Sequence, residues 1–219
     1  MSKYFLGTLV VAMAATSLTM PMSAQAPAAP AAAAPTDASA TYARTDLNFT
    51  YNPPTGWKSQ DISTVKASAD DKSANCMKVL YTAAPESAAQ GMEGMSIGVT
   101  LIDAARNCVP ADVTPEVQVQ TMVENAGKMP GMQVYKKPNG YFIDNHTFWS
   151  MVAKGKPTLG DGSTAKVDVY VAMIGGVVKD KVLIWEMTAP DQATMQQMLT
   201  STVQFTGKKP HILAKVDLK

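Results

Sequence analysis

One short motif in the chain has the residue types and spacing of a hydrolase active site. Residues 94–98 read Gly-Met-Ser-Ile-Gly, the G-x-S-x-G pattern in which Ser96 would be the nucleophile. That pattern needs a strand before the serine and a helix after it, because a strained turn must present the hydroxyl. Ser96 instead opens an alternating run that is typical of a strand. We therefore interpret Ser96 as a strand serine and keep a serine hydrolase only as the third functional hypothesis.

The chain has two histidines, His146 and His211, that could act as a general base. Asp144 and His146 stand two residues apart on a predicted strand, so their side chains are expected to share one face. A catalytic base also needs a positioned nucleophile, and the sequence offers no third partner for this pair. We interpret both histidines as surface or partly satisfied residues and assign no catalytic residue.

Fifteen methionines form a second candidate for chemistry, because three M-x-x-M pairs occur among them. The pairs are Met92 with Met95, Met129 with Met132, and Met195 with Met198. Thioethers are soft ligands that select Cu(I), but methionine also fills irregular cores. The third pair fits the apolar stripe of a predicted helix, whereas the first two lie near glycines where a metal could enter. A Cu(I) site at Met92, Met95, Met129 and Met132 therefore stays an alternative, and no cofactor is predicted.

The elements that position these residues begin with strands. Residues 47–52 alternate apolar and polar side chains until Pro53 and Pro54 stop the run, and the chain resumes at Trp57 after a turn at Gly56. Further strands are predicted over residues 76–82 and 95–102.

Two helices are predicted from their capping residues. Residues 114–116 supply a hydroxyl N-cap, a first-turn proline and an acid near the positive helix end. The apolar stripe of this helix is Val119, Met122, Val123 and Ala126, and Gly127 ends it. A second helix begins at residues 190–191 and carries Met195, Met198 and Leu199, after which Val203 and Phe205 return to the core.

An antiparallel meander is predicted between the two helices. Its expected turns are residues 138–140, 160–162 and 175–176, which are rich in glycine, and residues 166–173 alternate as a strand. Helices at both ends of an antiparallel sheet predict an α+β fold, with the sheet flanked by helices.

The first 26 residues have the pattern of a secretory signal peptide. Lys3 provides the positive region, residues 5–18 are apolar or small, and residues 24–26 offer a small-x-small cleavage site. Cleavage after Ala26 would leave Pro27 at the new terminus, so cleavage after Ala24 or Ala28 is the alternative. The pattern predicts an exported protein, either periplasmic or secreted.

An alanine- and proline-rich segment follows the signal and is predicted to be an extended linker over residues 27–43. The remaining residues, 44–219, are expected to form one globular domain. No further apolar run is long enough to cross a membrane, so the mature chain is predicted to have no membrane span.

Two cysteines, Cys76 and Cys108, lie in the exported part of the chain. An even number of cysteines in an oxidising compartment favours a disulfide between them. The alternative is a pair of buried thiols.

The charges argue against nucleic acid as a partner. Lysines and arginines number 19 against 18 acids, so no global field would attract a polyanion. Arg44 and Arg106 are the two arginines, and phosphate recognition usually uses the guanidinium fork. The locally basic residues 208–219 are interpreted as a solvated terminus.

Residues distributed along the whole predicted domain resemble one known fold family. They are Phe49, Thr50, Tyr51, Pro54, Gly56 and Trp57, the helix start at 114–116, and Trp185, Thr188, Pro190, Ser201 and Phe205. This set is similar to the PsbP-like α/β/α sandwich, which includes an extrinsic photosystem II subunit, a nuclear-import factor that binds the Ran GTPase, and many exported bacterial proteins. Every matching residue is a turn former or a core filler. The resemblance therefore implies a fold and carries over no site residue.

These observations lead to one preferred function. We expect an exported, non-enzymatic domain that binds an unknown protein or small ligand or assists envelope assembly. A periplasmic Cu(I)-handling protein is the alternative.

Overall fold

The computed structural model describes residues 41–63, 76–85, 97–158 and 162–218. Several predictions lie outside those residues: the signal peptide over 1–26 with its cleavage sites Ala24, Ala26 and Ala28, most of the linker, and the side chains of Met92, Met95 and Ser96.

The described residues form eleven strands, two α-helices and a 3-10 helix. The strands are β1 (Tyr42–Arg44), β2 (Phe49–Asn52), β3 (Trp57–Asp61), β4 (Met77–Pro85), β5 (Gly98–Ala104), β6 (Met132–Ile143), β7 (His146–Gly155), β8 (Val169–Val178), β9 (Lys181–Ala189), β10 (Thr202–Phe205) and β11 (His211–Ile212). The helices are the 3-10 helix Arg106–Cys108, α1 (Pro115–Ala126) and α2 (Gln192–Met198). The first strand therefore starts at Tyr42, within the segment predicted as linker.

The strands form two antiparallel sheets where the sequence analysis expected one. The larger sheet has seven strands in the order β3-β4-β5-β9-β8-β7-β6, and the smaller has four in the order β1-β2-β10-β11. The predicted strands around Pro53 and Pro54 are both present, but β2 belongs to the smaller sheet and β3 to the larger. The chain changes sheet here because two successive prolines cannot donate ladder hydrogen bonds.

Helix α1 covers one face of the seven-stranded sheet. It begins as predicted, because the Thr114 hydroxyl accepts a hydrogen bond from the Val117 N–H and Pro115 occupies the first turn. Val119 packs with Ile184 of β9, while Val123 packs in a cluster with Met151 of β7. The predicted apolar stripe therefore faces the sheet.

The opposite face of the seven-stranded sheet is covered by a mixed layer. Its covering side chains come from the smaller sheet and from α2, and they pack on a row that includes Leu101, Phe148 and Trp185. The contributors are Phe49, Tyr51, Met195, Met198 and Val203. The α+β class is therefore confirmed, whereas the expected helical layer on this face is shared between one helix and four strands.

Two of the turns expected from glycine are wrong. Residues 138–140 lie inside β6 and residues 175–176 lie inside β8, and the hairpins turn instead at 144–145 and 179–180. The glycines serve close packing. A Cβ atom on Gly175 would lie 2.1 Å from Cγ2 of Val119, and one on Gly176 would lie 2.4 Å from the Phe148 ring. Helix α1 and the Phe148 ring can approach β8 only because these positions lack a side chain.

The disulfide predicted between Cys76 and Cys108 is present, with 5.5 Å between the Cα atoms. The backbone continues the β4–β5 ladder here, because the Ala105 N–H donates to the Cys76 carbonyl at 2.8 Å. Arg106, inside the bridged segment, donates to the Gln118 side chain of α1 at 2.6 Å. The bridge therefore holds the start of α1 against the end of the sheet.

The C-terminal segment is packed, which corrects the interpretation of residues 208–219 as a solvated terminus. Leu213, Ala214 and Leu218 are buried in the core on the side of the smaller sheet. The Tyr141 hydroxyl donates to the Leu213 carbonyl at 2.6 Å. The solvated interpretation was based on the lysines of this segment and did not take account of the apolar residues between them.

None of the helices in the described ranges is long and apolar enough to cross a membrane.

We predict that Gly175→Ala lowers the free energy of unfolding by about 1–3 kcal/mol, because the added methyl group overlaps Val119. Urea unfolding measures the loss. In the double variant Gly175→Ala/Val119→Ala, the smaller residue at 119 makes room for the added methyl group. The loss of unfolding free energy should therefore be smaller than the sum of the two single losses by at least about 0.5 kcal/mol. Strictly additive losses would show that α1 does not approach β8 this closely.

We predict that replacing both Cys76 and Cys108 by serine lowers the free energy of unfolding by about 2–4 kcal/mol, because the cross-link restricts the unfolded chain. Urea unfolding of the oxidised mature chain and of the double variant measures the difference. Mass analysis after thiol alkylation supplies the control. Equal labelling of the wild-type cysteines with and without reductant would rule out the bridge.

Candidate functional site

The histidines and Asp144 are arranged differently from the prediction. Asp144 does not lie on a strand with His146 but in the β6–β7 turn, at a φ of 47°. Its carboxylate Oδ2 is 3.2 Å from Nε2 of His211 on β11, while the His146 ring stacks on Phe205 with centroids 4.0 Å apart. These contacts join the β6–β7 hairpin to the smaller sheet. Both histidines are partly buried, as expected for surface or partly satisfied residues, and their non-catalytic role stays a prediction.

The M-x-x-M pairs that the structure describes are mainly core residues. Met195 and Met198 are fully buried between α2 and the larger sheet. Met132 is buried in the cluster beneath α1, and Met129 packs against that cluster. Met92 and Met95, the other half of the Cu(I) candidate, lie outside the described residues. Among the described histidines, cysteines, aspartates and glutamates, no group of three could hold a metal ion.

A surface cleft lies where β6 begins and β7 ends. It has a volume of about 480 Å³. Strands β6 and β7 and the residue just before β8 line it, through Gly131, Gln133, Val134, Tyr135, Lys154, Gly155, Lys156 and Asp168. A cleft of this size lies within the usual range for small-ligand sites, roughly 300–1,000 Å³.

Strand register places the polar side chains of the cleft on one face. Lys154 of β7 is directly opposite Gln133 of β6 on one side and Tyr170 of β8 on the other. Directly paired residues of neighbouring antiparallel strands project to the same side of a sheet. Tyr135 lies two residues after Gln133, and its ring meets the Tyr170 ring edge to face, with centroids 5.5 Å apart. Tyr135 and Lys154 therefore line the cleft, and the buried Tyr170 ring contacts both of them.

The lysine and tyrosine side chains at the cleft support one another. Nζ of Lys154 lies 5.2 Å from the centroid of the Tyr170 ring, within cation–π distance. The Tyr135 hydroxyl donates to the Leu218 carbonyl at 3.3 Å, and the Gln192 side chain donates to the same oxygen at 2.9 Å. The packed C-terminal segment therefore fixes Tyr135 at the cleft wall.

Two glycines shape one end of the cleft. The Lys156 N–H donates to the Gly131 carbonyl at 2.9 Å. A Cβ atom on Gly131 would lie 1.9 Å from the Lys156 carbonyl oxygen, and one on Gly155 would lie 2.1 Å from the Gly131 oxygen. Both residues also have positive φ angles, 81° and 153°. The two chain segments can meet here only because both positions are glycine.

Lys154, Lys156 and Asp168 bring charge to the cleft without forming ion pairs with other described residues. Other charged groups are engaged: Arg44 pairs with Asp46 at 2.6 Å, and Lys181 with Asp103 at 3.6 Å. The sequence analysis assigned none of the cleft residues. Lys154 and Gln133 are distant in sequence and belong to no motif. The cleft could therefore be identified only once the strand register was known.

Glu186 is a second polar feature of the larger sheet. It lies on β9 between Thr100 of β5 and Met173 of β8. Since side chains alternate along a strand, Glu186 faces the same side as Ile184, which packs against α1. Burial raises the pKa of the Glu186 carboxyl above its usual 4.5.

Comparison with known proteins gives a distant fold similarity. No family model and no curated protein matches the chain. A solution structure of cyanobacterial PsbP from Synechocystis sp. PCC 6803 is similar over 69% of this chain and 79% of that chain, with 10% identity and a TM-score of 0.38. At that TM-score the similarity supports no conclusion about a ligand, a partner or a site. The PsbP-like character suggested by the sequence stays a resemblance.

We predict that Glu186→Gln stabilises the protein at neutral pH and has little effect in acid. The folded protein holds the Glu186 proton more tightly than the unfolded chain does, because burial penalises the charged form. The free energy of unfolding therefore falls as pH rises from the usual 4.5 through the raised pKa. The melting temperatures of Glu186→Gln and of the wild type, measured from pH 4 to pH 8, should move apart as the pH rises.

The exposed Asp112→Asn variant is the matched control, and its melting temperature should follow that of the wild type at every pH. A Glu186→Gln melting temperature below that of the wild type at neutral pH would show that the carboxylate has a stabilising partner.

Proposed function

We propose that this protein is an exported, non-enzymatic binding domain and that the cleft between β6, β7 and β8 is its ligand site. The observation that supports the proposal is the convergence of Lys154, Lys156 and Asp168 on one concave surface without ion-pair partners among the described residues. Charges that are not neutralised by an ion pair within the fold are available to a ligand. The signal pattern and the Cys76–Cys108 disulfide agree with an oxidising compartment.

The construction of the cleft suits binding. Gln133, Tyr135 and Lys154 stand on strands, and positions on strands are held more precisely than positions on loops. Lys156 directly follows β7 and Asp168 directly precedes β8. The Tyr135 ring, the Val134 side chain and the lysine stems add apolar surface beside the charges. Small-ligand sites typically combine such apolar walls with a few placed polar groups.

Cu(I) handling by Met92, Met95, Met129 and Met132 is the alternative, and the packing of Met132 in the core beneath α1 favours a structural role for that residue. Titration of the mature chain with Cu(I) under reducing conditions separates the two functions. Saturable binding that is lost in the Met129→Leu/Met132→Leu variant would favour copper.

We predict that the double variant Lys154→Gln/Lys156→Gln loses the retention of envelope material that the wild type shows. Immobilised mature chains are exposed to soluble envelope extract, and the bound small molecules and proteins are compared by mass spectrometry. The control is Lys208→Gln/Lys209→Gln, which removes the same charge from two exposed residues that do not line the cleft. Retention that depends on the cleft lysines and not on the control lysines is the expected result.

Equal retention by both double variants would contradict the cleft as the ligand site. Turnover of ester, peptide or phosphate substrates that Ser96→Ala abolishes would contradict the non-enzymatic assignment.

A further inference from the structure

The balance of charges in the cleft indicates the kind of ligand it takes. We infer that the ligand is a small amino dicarboxylate, a molecule with two carboxylates and one ammonium group, and this inference rests on the proposed function. Lys154 and Lys156 supply two ammonium groups and Asp168 supplies one carboxylate. An amino dicarboxylate has the opposite set of charges, so every charge on either side can find a partner.

The anionic groups of the ligand meet lysine ammonium groups in this cleft and no guanidinium group. A guanidinium fork binds carboxylates and phosphates alike, so the choice between these two anions depends on Asp168. Both arginines of the chain are engaged elsewhere: Arg44 donates to Asp46 at 2.7 and 2.6 Å, and Arg106 donates to Gln118. The cleft offers lysine ammonium groups, which act as point charges. A doubly charged phosphate would also be repelled by Asp168.

Asp168 explains why the ligand must carry a donor as well. A simple dicarboxylate would satisfy the two lysines but would leave the Asp168 carboxylate facing like charge at the same site. An ammonium group on the ligand turns that repulsion into a charge-assisted hydrogen bond. Asp168 therefore selects a ligand with a cationic donor near its carboxylates.

The side chains that would contact the ligand are already positioned in the protein without a ligand. The Lys154 ammonium group lies over the Tyr170 ring, and Tyr135 is fixed by its hydrogen bond to Leu218. The backbone hydrogen bond from Lys156 to Gly131 holds the chain segment that carries Lys156 in place. Groups already placed in this way lose little conformational entropy when a ligand binds.

Three ligands that differ at one carbon test the inference. Succinate has no donor, malate has a hydroxyl group and aspartate has an ammonium group, and all three carry two carboxylates. Calorimetric titration of the mature chain should give the affinity order aspartate, malate, succinate. Lys154→Gln should weaken aspartate binding at least about tenfold, because a hydrogen bond to a charged group is lost.

The variant Asp168→Asn should change the affinities for two ligands in opposite directions, which a purely structural role of Asp168 would not do. It should weaken aspartate binding and strengthen succinate binding, so that the preference between them narrows or reverses. Lys209→Gln and Asp180→Asn, which change charges on exposed turns, should leave all three affinities unchanged.

The inference is overturned if succinate binds as tightly as aspartate, if Asp168→Asn shifts all three ligands equally, or if none binds below about 10 mM. These failures are distinct from failure of the proposed function. If none of the three binds while retention of envelope material still depends on Lys154 and Lys156, the ligand class is wrong and the site stands. If that retention is also independent of the lysines, the proposed function fails as well.

Discussion

The burial of both faces of β8 and β9, the central strands of the larger sheet, is the constraint on which the rest of the structure depends. A sheet buried on both faces needs two covering layers. On one side α1 lies close enough to β8 that Gly175 cannot carry a Cβ atom. On the other side, large side chains such as Trp185 and Phe148 need partners, and the smaller sheet, α2 and the C-terminal segment supply them. The disulfide and Arg106 hold the start of α1 in the position that this packing requires.

The proposed ligand site lies where this cover ends. Near the start of β6 the side chains become exposed, and the chain segments at Gly131 and Gly155 meet without side chains between them. Lys154 is carried there by a strand whose middle is fully buried, so the position of its backbone is set by the core. A polar cleft built on strands anchored in this way combines exposure to solvent with a fixed geometry, which a ligand site needs.

Charges of both signs converge on one concave surface at the cleft. Arg44, Arg106 and Lys181 are each engaged by a partner within the fold. Asp144 and His211 face one another across the junction of the two sheets, so the chain's one histidine–carboxylate contact is part of the structural framework in the described region. Lys154, Lys156 and Asp168 form no ion pairs with other described residues, although the Lys154 ammonium group lies over the Tyr170 ring. Their convergence, rather than any motif, is the basis of the proposed binding function.

Local chemistry allowed much of the fold to be predicted from sequence. Thr114 with Pro115 and Asp191 identified the helix starts, alternation identified most strands, and Cys76 with Cys108 predicted the bridge. These features depend on neighbouring residues or on the number of cysteines, so the sequence by itself determined them. The tertiary structure alone decided the role of Gly175 and Gly176, the second sheet, the pairing of Asp144 with His211, and the cleft. Each of these depends on which distant segments pack together, and a glycine that permits close packing is identical in sequence to a glycine that permits a turn.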